Sequence, residues 1–262
     1  MRLPIYQVDA FADAVFAGNP AAVVPLESWL PDATLLAIAA ENNLAETAFF
    51  VRQGDVCELR WFTPAVEVDL CGHATLATAF VIATALEPGR ERVTFTTRQA
   101  GALTVTREGE RFVLDFPARP PAPVSLHADL LPALGGPAPA AVLGARDYLV
   151  VYDDAATVRA LAPDMVRLAE LDRAAVCVTA PGDDGVDFVS RFFAPAMGIS
   201  EDPVTGSAHC TLIPYWAQRL GRTTLSARQV SARGGHLACG LVGDRVKIGG
   251  TAVLYLEGVI HV

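Results

Sequence analysis

A strand-loop-helix frame occurs twice in this chain, and no other feature limits its possible folds as strongly. Arg60-Trp61-Phe62-Thr63-Pro64-Ala65 leads through Val68-Asp69-Leu70 to Cys71-Gly72-His73-Ala74-Thr75 and an apolar run. Arg191-Phe192-Phe193-Ala194-Pro195 leads through Gly198-Ile199-Ser200 to Glu201-Asp202-Pro203-Val204-Thr205-Gly206-Ser207-Ala208-His209 and a second apolar run. Arg60 and Pro64 lie 131 residues before Arg191 and Pro195, whereas Gly72 lies 134 before Gly206, so the second copy carries three extra residues. Chance does not repeat a whole order of strand, loop and helix. The chain therefore reads as a duplication whose copies place different chemistry at the same point.

The surrounding punctuation fits two units. At 262 residues the chain is long for one core and suits two domains of roughly 100 to 150 residues. The first, residues 1–117, is predicted to hold a strand over Pro4 to Phe11 and a turn at Phe16-Ala17-Gly18-Asn19-Pro20. A helix starting at Pro31-Asp32 and stopped by Asn42-Asn43 follows, then a strand over Thr47 to Val51 and another over Cys57 to Phe62. A helix from Cys71-Gly72-His73 to about Ala85 precedes three more strands. The proline-rich Pro117 to Pro123 reads as a linker. The order then recurs in residues 124–252: a strand over Tyr148 to Tyr152, helix from Asp153 to Leu171 broken at Pro163, and a strand over Ala174 to Thr179. A strand from Val186 to Phe193, a helix over Ser207 to Arg219 and strands near Val230, His236 to Leu241 and Arg245 to Ile248 complete it. The last stretch, 253–262, has no counterpart and is expected to cross back to the first sheet. The predicted fold class is α+β: two similar domains, each a curled, mostly antiparallel sheet or barrel around a central helix.

Charge excludes some functions. The formal net charge is -9 and no run of Lys or Arg occurs, whereas nucleic-acid binding needs clustered cations. The longest apolar runs fall short of the roughly 20 residues that span a bilayer, and the opening residues carry no leader pattern. A soluble cytoplasmic protein without membrane or nucleic-acid partners is expected. Cys57, Cys71, Cys177, Cys210 and Cys239 are odd in number and lack a Cys-x-x-Cys pair, so neither disulfides nor a metal site is predicted. Four of them read as small buried residues; Cys71 stands apart by its place before Gly72.

Gly72 and Gly206 each sit where a loop becomes a helix, a geometry that offers backbone N–H groups and the positive end of the helix dipole to a carboxylate. His73 serves there as a cap, a packing residue or a proton donor near neutrality. Asp202 and Ser207 cap the following turn and helix or contact a ligand, and His209 reads as structural. Glu46, at a loop-to-strand junction bracketed by Leu44, Ala45, Ala48, Phe49 and Phe50, suits proton transfer at carbon. No nucleophile elbow, phosphate loop, zinc-protease motif or dinucleotide fingerprint is present. Proton movement without a cofactor is the chemistry left.

Together these segments resemble a known family. Val8-Asp9-Ala10-Phe11, Phe16-Ala17-Gly18-Asn19-Pro20, Glu41-Asn42-Asn43-Leu44-Ala45-Glu46-Thr47, Cys71-Gly72-His73-Ala74-Thr75 and Glu201 to Ala208 are similar, in order, to the PhzF family of phenazine-biosynthesis-like isomerases. The resemblance implies a diaminopimelate-epimerase-like fold, an active site between the domains, commonly a homodimer, and a cofactor-free proton shift on a small cyclic amino acid such as dihydrohydroxyanthranilate. It implies Glu46 as general base and acid. His73, Asp202 and Ser207 would orient the substrate's amino, hydroxyl and carboxylate groups, Gly72 and Gly206 would supply main-chain donors, and Asn19 and Cys71 would line the site. Two other readings remain at this point: an epimerase working through Cys71, and a binding or scaffolding protein without turnover.

Overall fold

The computed structural model describes residues 1–262, which form two compact units, Met1–Asp115 with Gly249–Val262 and Phe116–Ile248. The first runs β1 (Arg2–Ala10), β2 (Asn19–Leu26), α1 (Asp32–Asn42), β3 (Glu46–Gln53), β4 (Val56–Phe62), β5 (Glu67–Val68), α2 (Gly72–Val81), β6 (Arg92–Thr96), β7 (Ala102–Glu108) and β8 (Arg111–Pro117). The second runs β9 (Ala122–Pro123), α3 (Leu130–Leu134), β10 (Ala141–Gly144), β11 (Tyr148–Val151), α4 (Ala155–Ala160), α5 (Met165–Ala169), β12 (Val176–Pro181), β13 (Phe188–Ala194) and β14 (Ile199–Asp202). It continues through α6 (Gly206–Leu220), β15 (Thr224–Gln229), β16 (Gly235–Val242) and β17 (Arg245–Gly250), after which β18 (Ala252–His261) belongs to the first unit.

Strand pairing repeats with the sequence. β2 is parallel to β3, β3 antiparallel to β4, and β4 antiparallel to β5 and parallel to β6, which is antiparallel to β7. The same relations join β11 through β16. β18 pairs antiparallel with β1 from His261 opposite Arg2 to Ala252 opposite Ala10. Its counterpart in the second unit is β9, which pairs with β10 through Ala122 and Pro123. The stretch expected to be only a linker therefore ends in a short strand, where the missing N–H of Pro123 is tolerated at a sheet edge.

Each unit wraps its strands around one helix. Nine of the ten residues of α2 are buried, as an apolar helix inside a sheet requires. α6 buries Ala208, Cys210, Leu212, Ile213 and Trp216 and carries Pro214 inside it. Proline cannot donate to the carbonyl four residues back, and the Arg119 backbone N–H takes up that acceptor, Cys210 O, at 2.8 Å.

The repeated arginines make equivalent contacts in the two copies. Arg60 donates through Nε and Nη2 to both oxygens of Glu67, each at 2.7 Å, and lies 4.9 Å over the Phe62 ring. Arg191 does the same with Glu201, at 2.7 and 3.0 Å, and lies 4.9 Å over Phe193. The three extra residues of the second copy fall between these partners, where a short 3-10 turn, Pro195–Met197, lengthens the connection.

Boundaries differ from expectation in three places. The expected break at Pro163 is present but wider, leaving two short helices over Asp153 to Leu171, because Asp154 and Asp164 each cap a separate start. α2 passes into a wider turn, Ile82–Leu86, before it ends. α6 begins at Gly206 with Thr205 as its N-cap, so Ser207 lies inside the first turn and is not the cap.

Candidate active site

The alternation of β3 decides which way Glu46 points. Successive strand residues face opposite sides. Phe49 and Val51 pack with Leu35, Ile38 and Ala39 of α1, and Thr47 Oγ1 accepts a hydrogen bond from Asn42 of that helix. Glu46, Ala48 and Phe50 therefore face the α2 side. The neighbouring β2 obeys the same rule: Ala22, Val24 and Leu26 join the α1 cluster, which turns Asn19, Ala21 and Val23 toward α2. Parallel pairing of Ala21 with Glu46 brings the two strand starts together.

At that point α2 begins. Cys71 occupies its N-cap without a side-chain cap bond, followed by Gly72 and His73. His73 Nε2 lies 3.2 Å from Glu46 Oε2. On the other side of the ring, Nδ1 lies 3.1 Å from Asn19 Nδ2 and 3.5 Å from Cys71 Sγ. All four side chains are buried, with Glu46 keeping 11% side-chain exposure against 4% for His73. Glu46 is thus the more exposed member of the pair, although its Oε2 is buried.

Electrostatics set the proton inventory. Burial pushes the Cys71 thiol up to about 11, and the nearby Glu46 carboxylate adds to the shift. Burial disfavours a charged His73, but Cys71 and Glu46 outweigh it and hold the imidazole well above its ordinary value. A thiol with so high a pKa is neutral at pH 7, so at that pH the Glu46 carboxylate is what sustains an imidazolium. Tautomer and amide orientation follow from each other. With Asn19 Nδ2 donating to Nδ1, the ring carries its proton on Nε2, toward Glu46. A fully protonated ring donates from both nitrogens and needs Asn19 Oδ1 turned to it.

The second unit presents a different arrangement at the equivalent place. Thr205 Oγ1 donates to Asp202 Oδ2 at 2.5 Å, which is why the Thr205 hydroxyl leaves α6 without a side-chain cap. Gln229 clamps this turn from β15: its Oε1 accepts from the Thr205 N–H at 2.8 Å, and its Nε2 donates to Asp202 O at 2.7 Å and to Thr205 Oγ1 at 3.1 Å. Gly206 is buried in the first turn and Ser207 is half-buried beside it. His209 is fully buried, with Nδ1 donating to Thr205 O at 2.8 Å. Burial lowers its pKa to about 4, so it is a neutral structural residue.

The structure thus gathers Glu46, Cys71, His73 and Asn19 into one buried cluster, and sets Asp202 and Gly206 in a clamped turn with Ser207 at its edge. Sequence reasoning missed Thr205 and Gln229. A Thr before a helix start was a readable signal for the first; nothing local marks Gln229, which lies 24 residues from Thr205.

Comparison with known proteins agrees with this organisation. Residues 8–258 match the family described as phenazine biosynthesis-like protein, PhzC-PhzF. Over 262 residues, all of both chains, the protein is 57% identical to an uncharacterized isomerase of Pseudomonas aeruginosa. It superposes with a TM-score of 0.95, at 51% identity and full coverage of both chains, on a crystal structure of a phenazine biosynthesis protein of the PhzF family from Enterococcus faecalis. A probable proline racemase of Agrobacterium radiobacter, 13% identical, has a TM-score of 0.64 over 99% of this chain and 92% of its own, a likeness of fold alone. The chain belongs to the phenazine biosynthesis-like PhzC-PhzF family and is an isomerase of that family.

Proposed function

We propose that the protein is a cofactor-independent isomerase in which Glu46 removes a proton from one carbon of a small cyclic or amino-acid substrate and returns it to another. The observation that carries this reading is the Glu46–His73 pair, a buried carboxylate with one oxygen 3.2 Å from an imidazole nitrogen and with the residual exposure a substrate needs. In the forward step a C–H bond breaks, its electron pair enters the substrate's adjacent π system, and an O–H bond forms on Glu46. In the return step that proton passes to a different carbon. His73, held by Asn19 and Cys71, fixes the orientation of the carboxylate that accepts the proton.

Substrate binding is assigned to the two helix starts. Neither Cys71 nor Thr205, the N-caps of α2 and α6, makes a side-chain cap hydrogen bond, so the backbone at Gly72 and Gly206 suits a substrate carboxylate. Asp202, fixed through Thr205 and Gln229, and Ser207 suit an amino or hydroxyl group. The Cys71 epimerase reading has weaker support, because a thiol at about 11 is a poor base beside a carboxylate.

Incubating the protein in heavy water with dihydrohydroxyanthranilate or a panel of small cyclic amino acids tests the reading. Mass spectrometry should show carbon-bound deuterium appearing in a substrate at a rate proportional to protein. A protein that only binds would give a ligand-dependent melting shift and no deuterium, and that result would remove the proposal.

A further inference from the structure

We propose that Glu46, Cys71 and His73 form a binding site for one divalent cation of the zinc class. A carboxylate oxygen, a thiol sulfur and an imidazole nitrogen from these buried residues all lie within 4.8 Å of one another. Cys71 Sγ is 3.5 Å from His73 Nδ1, close to the roughly 3.5 Å between sulfur and nitrogen around tetrahedral zinc with bonds of about 2.3 and 2.0 Å. Glu46 Oε2 lies 3.2 Å from the other ring nitrogen, Nε2. A single cation uses one ring nitrogen, so the third ligand must close in. The partly exposed Glu46 side chain is the one free to turn, since Cys71 and His73 are fixed two residues apart at the start of α2.

The donor set selects the metal. Sulfur and imidazole suit Zn2+ and Co2+, whereas Mg2+ and Ca2+ require oxygen cages. One thiolate and one carboxylate also neutralise a divalent cation, so the loaded site carries no net charge into a buried place. Loading breaks the Cys71 S–H bond and one N–H bond of the His73 imidazolium, forms sulfur–metal and nitrogen–metal bonds, and releases both protons to the buffer, with no redox step. A fourth position is left for water. The cation would occupy the Glu46 carboxylate that the reaction needs, so loading inhibits; that consequence rests on the function proposed above, while the binding itself does not.

The experiment reads binding without activity. Protein stripped with a chelator is titrated with Co2+ and, separately, with Zn2+ against a chromophoric competitor. One equivalent should bind, with a sulfur-to-cobalt charge-transfer band in the near ultraviolet. Loss of an outer-shell partner already costs about 10- to 100-fold in affinity, so Cys71→Ser and His73→Asn, each checked for an intact fold by circular dichroism, should weaken Zn2+ at least about tenfold and abolish the band. Wild-type protein supplies a further arm, in which Zn2+ but not Mg2+ should slow alkylation of Cys71 by iodoacetamide. Absence of stoichiometric binding, undiminished binding by folded Cys71→Ser, or alkylation of Cys71 at an unchanged rate would overturn the proposal. Each leaves the deuterium result for the isomerase reading untouched.

Discussion

Two buried histidines near the starts of α2 and α6 titrate in opposite directions. His209 has a folded pKa of about 4 against 6.5 unfolded, because burial disfavours its charged form. Between those values the unfolded chain binds more protons, so stability rises with pH there, is complete above 6.5 and is lost as pH falls toward 4. At about 1.4 kcal/mol per unit the loss reaches roughly 2 kcal/mol by pH 5. Urea unfolding at pH 7 and pH 5 should show this loss in the wild type and a smaller one in His209→Asn. For His73 the sign reverses, since its folded pKa is raised: its contribution is present below 6.5 and fades as pH climbs through the raised value. His209 was legible as structural from its place inside the helical run. Glu46 was not separable from other acids without the family resemblance, because the Asn19–His73–Glu46 contacts join β2, α2 and β3, and no local pattern encodes them.

Elements, in turn, depend on a few connections that substitution can break. The turn between β1 and β2 places Gly18 at φ +64, where an added Cβ would lie 2.2 Å from Ala10 O and 2.8 Å from Ala12 Cβ. Gly18→Ala should destabilise the first unit by at least about 2 kcal/mol and shift the adjoining Asn19, as read by thermal melting and by weakened catalysis. Gln229→Ala leaves the buried Thr205 N–H and Asp202 carbonyl without this partner, a cost of about 1–3 kcal/mol for each group. Gln229→Glu retains the acceptor for Thr205 and should recover part of that loss. Arg60→Met removes a nearly buried guanidinium and leaves Glu67 only its 3.2 Å contact with Arg98, and should cost about 1–3 kcal/mol. The helix starts and stops were readable from glycine, asparagine and proline. The Arg–Glu pairs were not, because the offset changes from 131 to 134 between the arginines and their partners, and only the bend after each strand brings them together.

At the scale of the whole molecule, one strand-and-helix unit has been used twice, each time with a buried helix beginning at a glycine. The duplication was visible in the chain itself. What it concealed was the equivalence of β9 and β18 beside β10 and β1, since two residues in a proline stretch and ten at the chain's end share no sequence pattern. The copies have divided the chemistry: the first places a carboxylate, an imidazole and a thiol at its helix start, and the second places a clamped aspartate and a serine there. Proton transfer is the role proposed for the first. The most direct test is deuterium wash-in from heavy water by wild type and Glu46→Gln at equal concentrations of folded protein. The account predicts a wild-type melting profile with exchange slowed by about 10²- to 10⁴-fold; exchange at the wild-type rate in folded Glu46→Gln would contradict it.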